Sequence, residues 1–134
     1  MSAEPPQLRL CLPALRESLP LIRRIVATLV EAQPLPAHRQ EEVLLALSVA
    51  AGDAVRHAPH DGPPAAQIVI EGQVSSGRLV ITVTDDGPGI APFLGADNVA
   101  GGVALMGTIA DRLELGPGAA TRMSFWLGGA PPAM

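Results

Sequence analysis

Lysine is absent from this 134-residue sequence: all nine basic residues are arginines, set against thirteen acidic ones for a net charge of −4. No run of basic residues occurs. A nucleic-acid binder needs clustered positive charge against phosphates, so direct contact with DNA or RNA is not expected. Cysteine is nearly absent as well. Cys11 stands alone, which rules out an internal disulfide and a cysteine-based zinc site and fits a reducing cytoplasm. Long apolar runs are missing too: the most apolar stretch, residues 99–110, is too short to cross a bilayer. The N-terminus lacks the basic-then-apolar order of a signal peptide. The expectation is a cytoplasmic chain with no membrane contact.

What is present suffices for one core. Hydrophobic residues make up 48% and charged residues 16%, and the length is that of one domain. Residues 1–7 and 128–134, rich in Pro, Ala and Gly, are expected to fray as disordered tails around a domain spanning 8–127. Leu8, Leu10 and Leu12 alternate with Arg9 and Cys11, predicting a short strand ended by Pro13. Leu19, Ile22, Ile25, Val26, Leu29 and Val30 recur at helical spacing, with Ser18 as N-cap and Pro20 in the first turn. A second helix is predicted over 37–58, with an apolar stripe through Val43, Leu44, Leu47, Ala50, Ala51, Ala54 and Val55 and Pro59 as its stop.

Two strands, 67–71 and 78–84, follow across Ser75-Ser76-Gly77 as a hairpin. A Gly- and Pro-rich segment over 85–102 leads to a third helix over 103–113 and a last strand over 121–127. The order β-α-α-β-β-α-β predicts an α+β two-layer sandwich, with helices packed on one face of a mixed, mostly antiparallel sheet.

Three features carry chemistry. The strand ending at Thr84 runs into Asp85-Asp86-Gly87-Pro88-Gly89-Ile90. A carboxylate fixed at the end of a strand can accept a hydrogen bond from an exocyclic amine such as that of adenine, and the glycines let backbone approach a flat ligand. The same residues are also ordinary turn formers. Next, Ala100-Gly101-Gly102 precedes the apolar run from Val103. A glycine loop feeding a helix N-terminus suits phosphate, although it also serves as a plain connection. Finally, Val49, Asp53, Arg56 and His57 share one face of the second helix. Asp53 can hold magnesium and Arg56 can meet phosphate, or the two form a simple helical ion pair. His57, His60 and Asp61 do not make a transition-metal set, because Pro59 separates them and no further ligand completes it.

In this order, from Leu8 to Leu127, the features resemble the GHKL (Bergerat-fold) ATPase superfamily, specifically its anti-sigma-factor serine kinase branch. The branch's N-box, approximately Leu-Ala-x-Ser-Glu-Ala-x-x-Asn-Ala-x-x-His-Ala, is similar to Leu45-Ala46-Leu47-Ser48-Val49-Ala50-Ala51-Gly52-Asp53-Ala54-Val55-Arg56-His57-Ala58. Its Asp-x-Gly-x-Gly box matches Asp85, Gly87 and Gly89, and its Gly-x-Gly-Leu-x-Leu-Met region matches Ala100-Gly101-Gly102-Val103-Ala104-Leu105-Met106. The closing Gly-Thr becomes Ala120-Thr121. The resemblance implies ATP or ADP held by Asp53, Arg56, His57, Asp85, Gly87, Gly89, Ile90, Gly101, Gly102, Val103, Leu105 and Thr121, with Mg2+ at Asp53. It implies a sigma factor or an anti-anti-sigma antagonist protein as partner, and a homodimer formed through apolar residues of the first helix.

Departures from the pattern narrow the expectation. Val49 stands where the branch has its proposed general base, a Glu, and Asp53 replaces the metal-binding Asn. Valine cannot accept a proton, so kinase activity is expected to be weak or lost while nucleotide binding survives. The alternatives are an active serine kinase acting on a small antagonist, and a scaffold that no longer binds nucleotide. A free-standing histidine-kinase ATPase domain is a weaker fit, because the sequence opens on its own strand.

Overall fold

The computed structural model describes residues 6–59, 66–87, 97–116 and 120–128. Within them the elements run β1 (Leu8–Pro13), α1 (Ser18–Glu31), α2 (Ala37–His57), β2 (Gln67–Ser75), β3 (Arg78–Asp85), α3 (Asp97–Ile109), β4 (Arg112–Leu115) and β5 (Ala120–Trp126). The strands form one sheet in the order β1-β2-β3-β5-β4. Every pairing is antiparallel, so the α+β sandwich stands while the sheet is not mixed.

Register explains which side of the sheet is buried. Leu10, Ile70, Val83, Thr121 and Leu115 lie side by side in one row across all five strands. The next row is Leu8, Gly72, Ile81, Met123 and Leu113. Because side chains alternate between faces, these rows share one face, and the helices cover it. Between the rows, Arg9, Glu71, Thr82, Arg122 and Glu114 line up on the opposite, polar face, the alternation expected of a sheet with one solvated side. Ile22, Val26 and Val30 from α1 and Val43, Leu47 and Ala50 from α2 meet Ile68, Ile70, Leu79, Ile81, Met123 and Phe125 in a single core. Each large side chain buried there contributes roughly 1.5–3 kcal/mol.

Local chemistry sets the boundaries. The β2–β3 turn has Ser76 at φ 55° and Gly77 at φ 74°, the two positive dihedrals of a two-residue type I′ hairpin. Pro36 caps α2 in extended conformation. Glu17, not Ser18, holds the N-cap position of α1; Ser18 opens the helix and its hydroxyl donates to the Pro13 carbonyl at 2.8 Å. Of the tails expected to fray, residues 1–5 and 129–134 lie outside the described residues. Gln7 is tied to β2: its side-chain amide donates to the Val74 carbonyl at 3.1 Å and its oxygen accepts from the Val74 N–H at 2.7 Å.

Two boundaries are corrected. The third helix begins at Asp97 rather than Val103, so Gly101 and Gly102 lie inside it. The four open N–H groups of a helix start therefore fall at 97–100, ahead of the glycines. The helix also ends at Ile109, which frees Arg112–Leu115 to form β4, a strand absent from the expected order. Pairing with β5 decides that segment: Leu113 is opposite Met123 and Leu115 opposite Thr121.

Candidate functional site

The fold brings together the end of β3, the C-terminal half of α2 and the second turn of α3. Asp85, the last residue of β3, pairs with Ile68 and extends the helix-facing rows of the sheet. Its Oδ1 accepts the Gly87 N–H at 2.6 Å, a short Asx-type turn that fixes the carboxylate. Asp86 anchors the same loop to β2, its Oδ2 accepting the Gln67 N–H at 2.8 Å. Gly87 sits in tight space: a Cβ there would lie 3.0 Å from the Asp85 carboxylate and 3.0 Å from the His57 carbonyl. The β3 end is thus pressed against the C-terminus of α2.

Along α2, Asp53 is buried, with only 4% of its surface exposed. Its Oδ1 lies 3.3 Å from Arg56, whose side chain is 54% exposed. Among the described residues nothing hydrogen-bonds to its Oδ2. A Cβ at Gly102 would lie 3.0 Å from Val49 Cγ1 and 3.2 Å from that oxygen, so α3 crosses α2 directly over Asp53. Ser48, Val49, Gly52, Asp53, Arg56 and Gly102 line the resulting cleft, about 340 Å³ in volume.

Electrostatics joins the two carboxylates. Burial pushes the Asp53 carboxyl above its ordinary value, opposed by the charges of Arg56 and His57. Burial also raises Asp85, opposed by the Gly87 N–H; Asp86 raises it further and His57 lowers it. His57, half-buried at the end of α2, contributes in the lowering direction at both acids. A buried carboxylate with perturbed titration in a cleft, as at Asp53, marks a candidate binding site.

Residues 12–125 match the family model of the histidine kinase-like ATPase domain. The chain belongs to the histidine kinase-like ATPase family. That places it in the GHKL-type superfamily, whose domain binds nucleotide. Comparison with curated proteins gave no match.

Against this ATPase frame the expected site residues separate into groups. Asp53, Arg56 and Gly102 line the cleft, and Gly87 meets the Asp85 carboxylate and the His57 carbonyl at the end of α2. Gly89 and Ile90 lie outside the described residues. Val103 is half-buried and packs on the core, Leu105 is 38% exposed on α3, and Thr121 is buried between Val83 and Leu115 on the helix-covered face. Gly101 faces open space. Ser48 and Gly52 also line the cleft, although the sequence did not single them out; their spacing of four beside Asp53 was the available signal.

The two glycines of α3 should respond differently to substitution. Gly101→Ala is expected to raise stability by about 1 kcal/mol, the helix-propensity gain where there is room. Gly102→Ala puts a methyl against Val49 and Asp53, an overpacking cost of about 1–3 kcal/mol that cancels or outweighs the same gain. Thermal melts of the two variants check the contrast, and equal shifts would count against close packing of α3 on Asp53.

Proposed function

We propose that this domain binds ADP or ATP between α2, the end of β3 and α3, and acts as an anti-sigma-factor-like regulator by partner switching. Its kinase chemistry is weak or lost. One observation carries this reading. Val49, at the position where the resembling branch has its base, contributes a methyl group 3.0 Å from where a Gly102 Cβ would sit. Among the described lining residues the one carboxylate is Asp53, and Arg56 engages it. The cleft thus offers groups to hold a nucleotide and none suited to take a serine proton, a role worth ~10²–10⁴ in rate.

Asp53 is the candidate magnesium ligand of the cleft, but its Oδ2 is buried beneath Gly102 and Arg56 engages its Oδ1, so the residues present fit an ion poorly. Among the described residues no group of three or more His, Cys, Asp or Glu could share an ion there. Asp85 would accept a hydrogen bond from the adenine amine, and Arg56 would lend positive charge toward the phosphates. Leu21, 44% exposed on α1, gives a second copy an apolar contact. Among the described residues no helix is long and apolar enough to cross a membrane.

A capture experiment tests the regulatory role. The immobilised protein is expected to retain a sigma factor or a small antagonist protein when loaded with nucleotide, and to release it when nucleotide is washed out. Retention of neither class, or retention indifferent to nucleotide, would overturn partner switching.

A further inference from the structure

A buried carboxylate beside a polyphosphate is electrostatically unfavourable, since like charges repel strongly where water is scarce. At Asp53 the helix supplies its own remedy. Arg56 follows three residues later on α2, its guanidinium 3.3 Å from Oδ1. Both residues line the cleft, and α3 closes over the remaining oxygen at Gly102. The neighbouring arginines face other acids: Arg23 meets Glu41, and Arg39 meets Glu42 and Asp111. Among the described residues Arg56 is the arginine that reaches Asp53. Its largely exposed side chain keeps the positive charge at the mouth of the cleft, beside the site proposed for phosphates.

We propose that Arg56 is an internal counter-cation for Asp53: a positioning residue that neutralises the buried carboxylate and makes nucleotide affinity nearly independent of divalent metal. The proposal rests on nucleotide occupying this cleft. It separates Arg56 from a plain phosphate contact. A phosphate contact weakens binding equally with and without metal when removed. A counter-cation, once removed, leaves Asp53 to repel nucleotide unless metal takes its place.

The test is calorimetric titration of ADP in excess Mg2+ and in excess EDTA. Wild-type affinity is expected to differ by less than about threefold between the two conditions, and Arg56→Gln by about tenfold or more, within the usual range of coupling between two bound groups. Arg56→Lys, which keeps the charge, is expected to follow wild type. Adding Asp53→Asn to Arg56→Gln removes both charges, avoids an unpaired buried carboxylate, and is expected to abolish the metal dependence. A tenfold or greater metal dependence in wild type overturns the proposal. So does an Arg56→Gln loss that is equal in both conditions and unchanged by Asp53→Asn. Absence of ADP binding in every variant and condition would instead overturn the nucleotide reading itself, and this inference with it.

Discussion

Asp85→Asn is expected to weaken adenine nucleotide binding by about 10- to 100-fold, as follows from losing a hydrogen bond to a charged, part-buried acceptor. The substitution is mild for the fold. The Asn oxygen can still accept the Gly87 N–H that Asp85 Oδ1 holds at 2.6 Å. The amide nitrogen then replaces the other carboxylate oxygen and meets the adenine amine donor to donor. Stability is expected to hold or rise, because Asp85 carries a carboxyl pushed above its ordinary value by burial. The sign follows from linkage. Between the ordinary and the raised value the folded state holds a proton that the unfolded state has released, so ionising Asp85 as pH rises costs stability. The asparagine variant lacks that cost. Affinity runs the other way: it should fall as pH drops through the raised value, because a protonated carboxyl is a poorer acceptor for the amine. Titrations across mildly acidic pH, with melts on the same samples, check both directions. A variant that loses stability and affinity together would indicate a structural role for Asp85.

The second large effect is a gain. Val49→Glu combined with Asp53→Asn is expected to raise phosphoryl transfer to a serine-bearing antagonist by ~10²-fold or more, the lower end of a positioned general base. Both changes are needed. Val49→Glu with Asp53 retained would place two carboxylates one helical turn apart, where each disfavours ionisation of the other. Asp53→Asn alone restores the neutral metal-binding residue of the resembling branch but supplies no base. Val49 is half-buried and lines the cleft beside Gly102, so a side chain at this position is presented to the proposed nucleotide site. Radiolabel transfer from ATP measures the outcome. No gain in the double variant, with nucleotide affinity intact, would show that the resemblance misplaces the base.

Much of this was legible in the sequence because alternation and helical spacing record burial directly. The leucines of β1, the stripe of α2 and the β2–β3 hairpin follow from periods of two and 3.6 residues. Asp53, Arg56, His57, Asp85 and Gly87 could be read as one site only through motif order, since nothing in local spacing joins residue 57 to residue 87. The errors cluster around α3. Glycine is a poor helix former, so Gly101 and Gly102 read as a loop; only contact with α2 shows that Gly102 gives up propensity for close approach. Arg112–Leu115 is too short to display a period, and its strand character comes from β5.

The most direct measurement of the central claim, an intact nucleotide corner joined to a disabled catalytic end, combines one titration with one turnover assay on the wild-type protein. ADP and ATP are expected to bind saturably, while ATP incubated with protein and antagonist stays essentially unconsumed. No heat at millimolar nucleotide, or brisk transfer of phosphate to the antagonist, would contradict it.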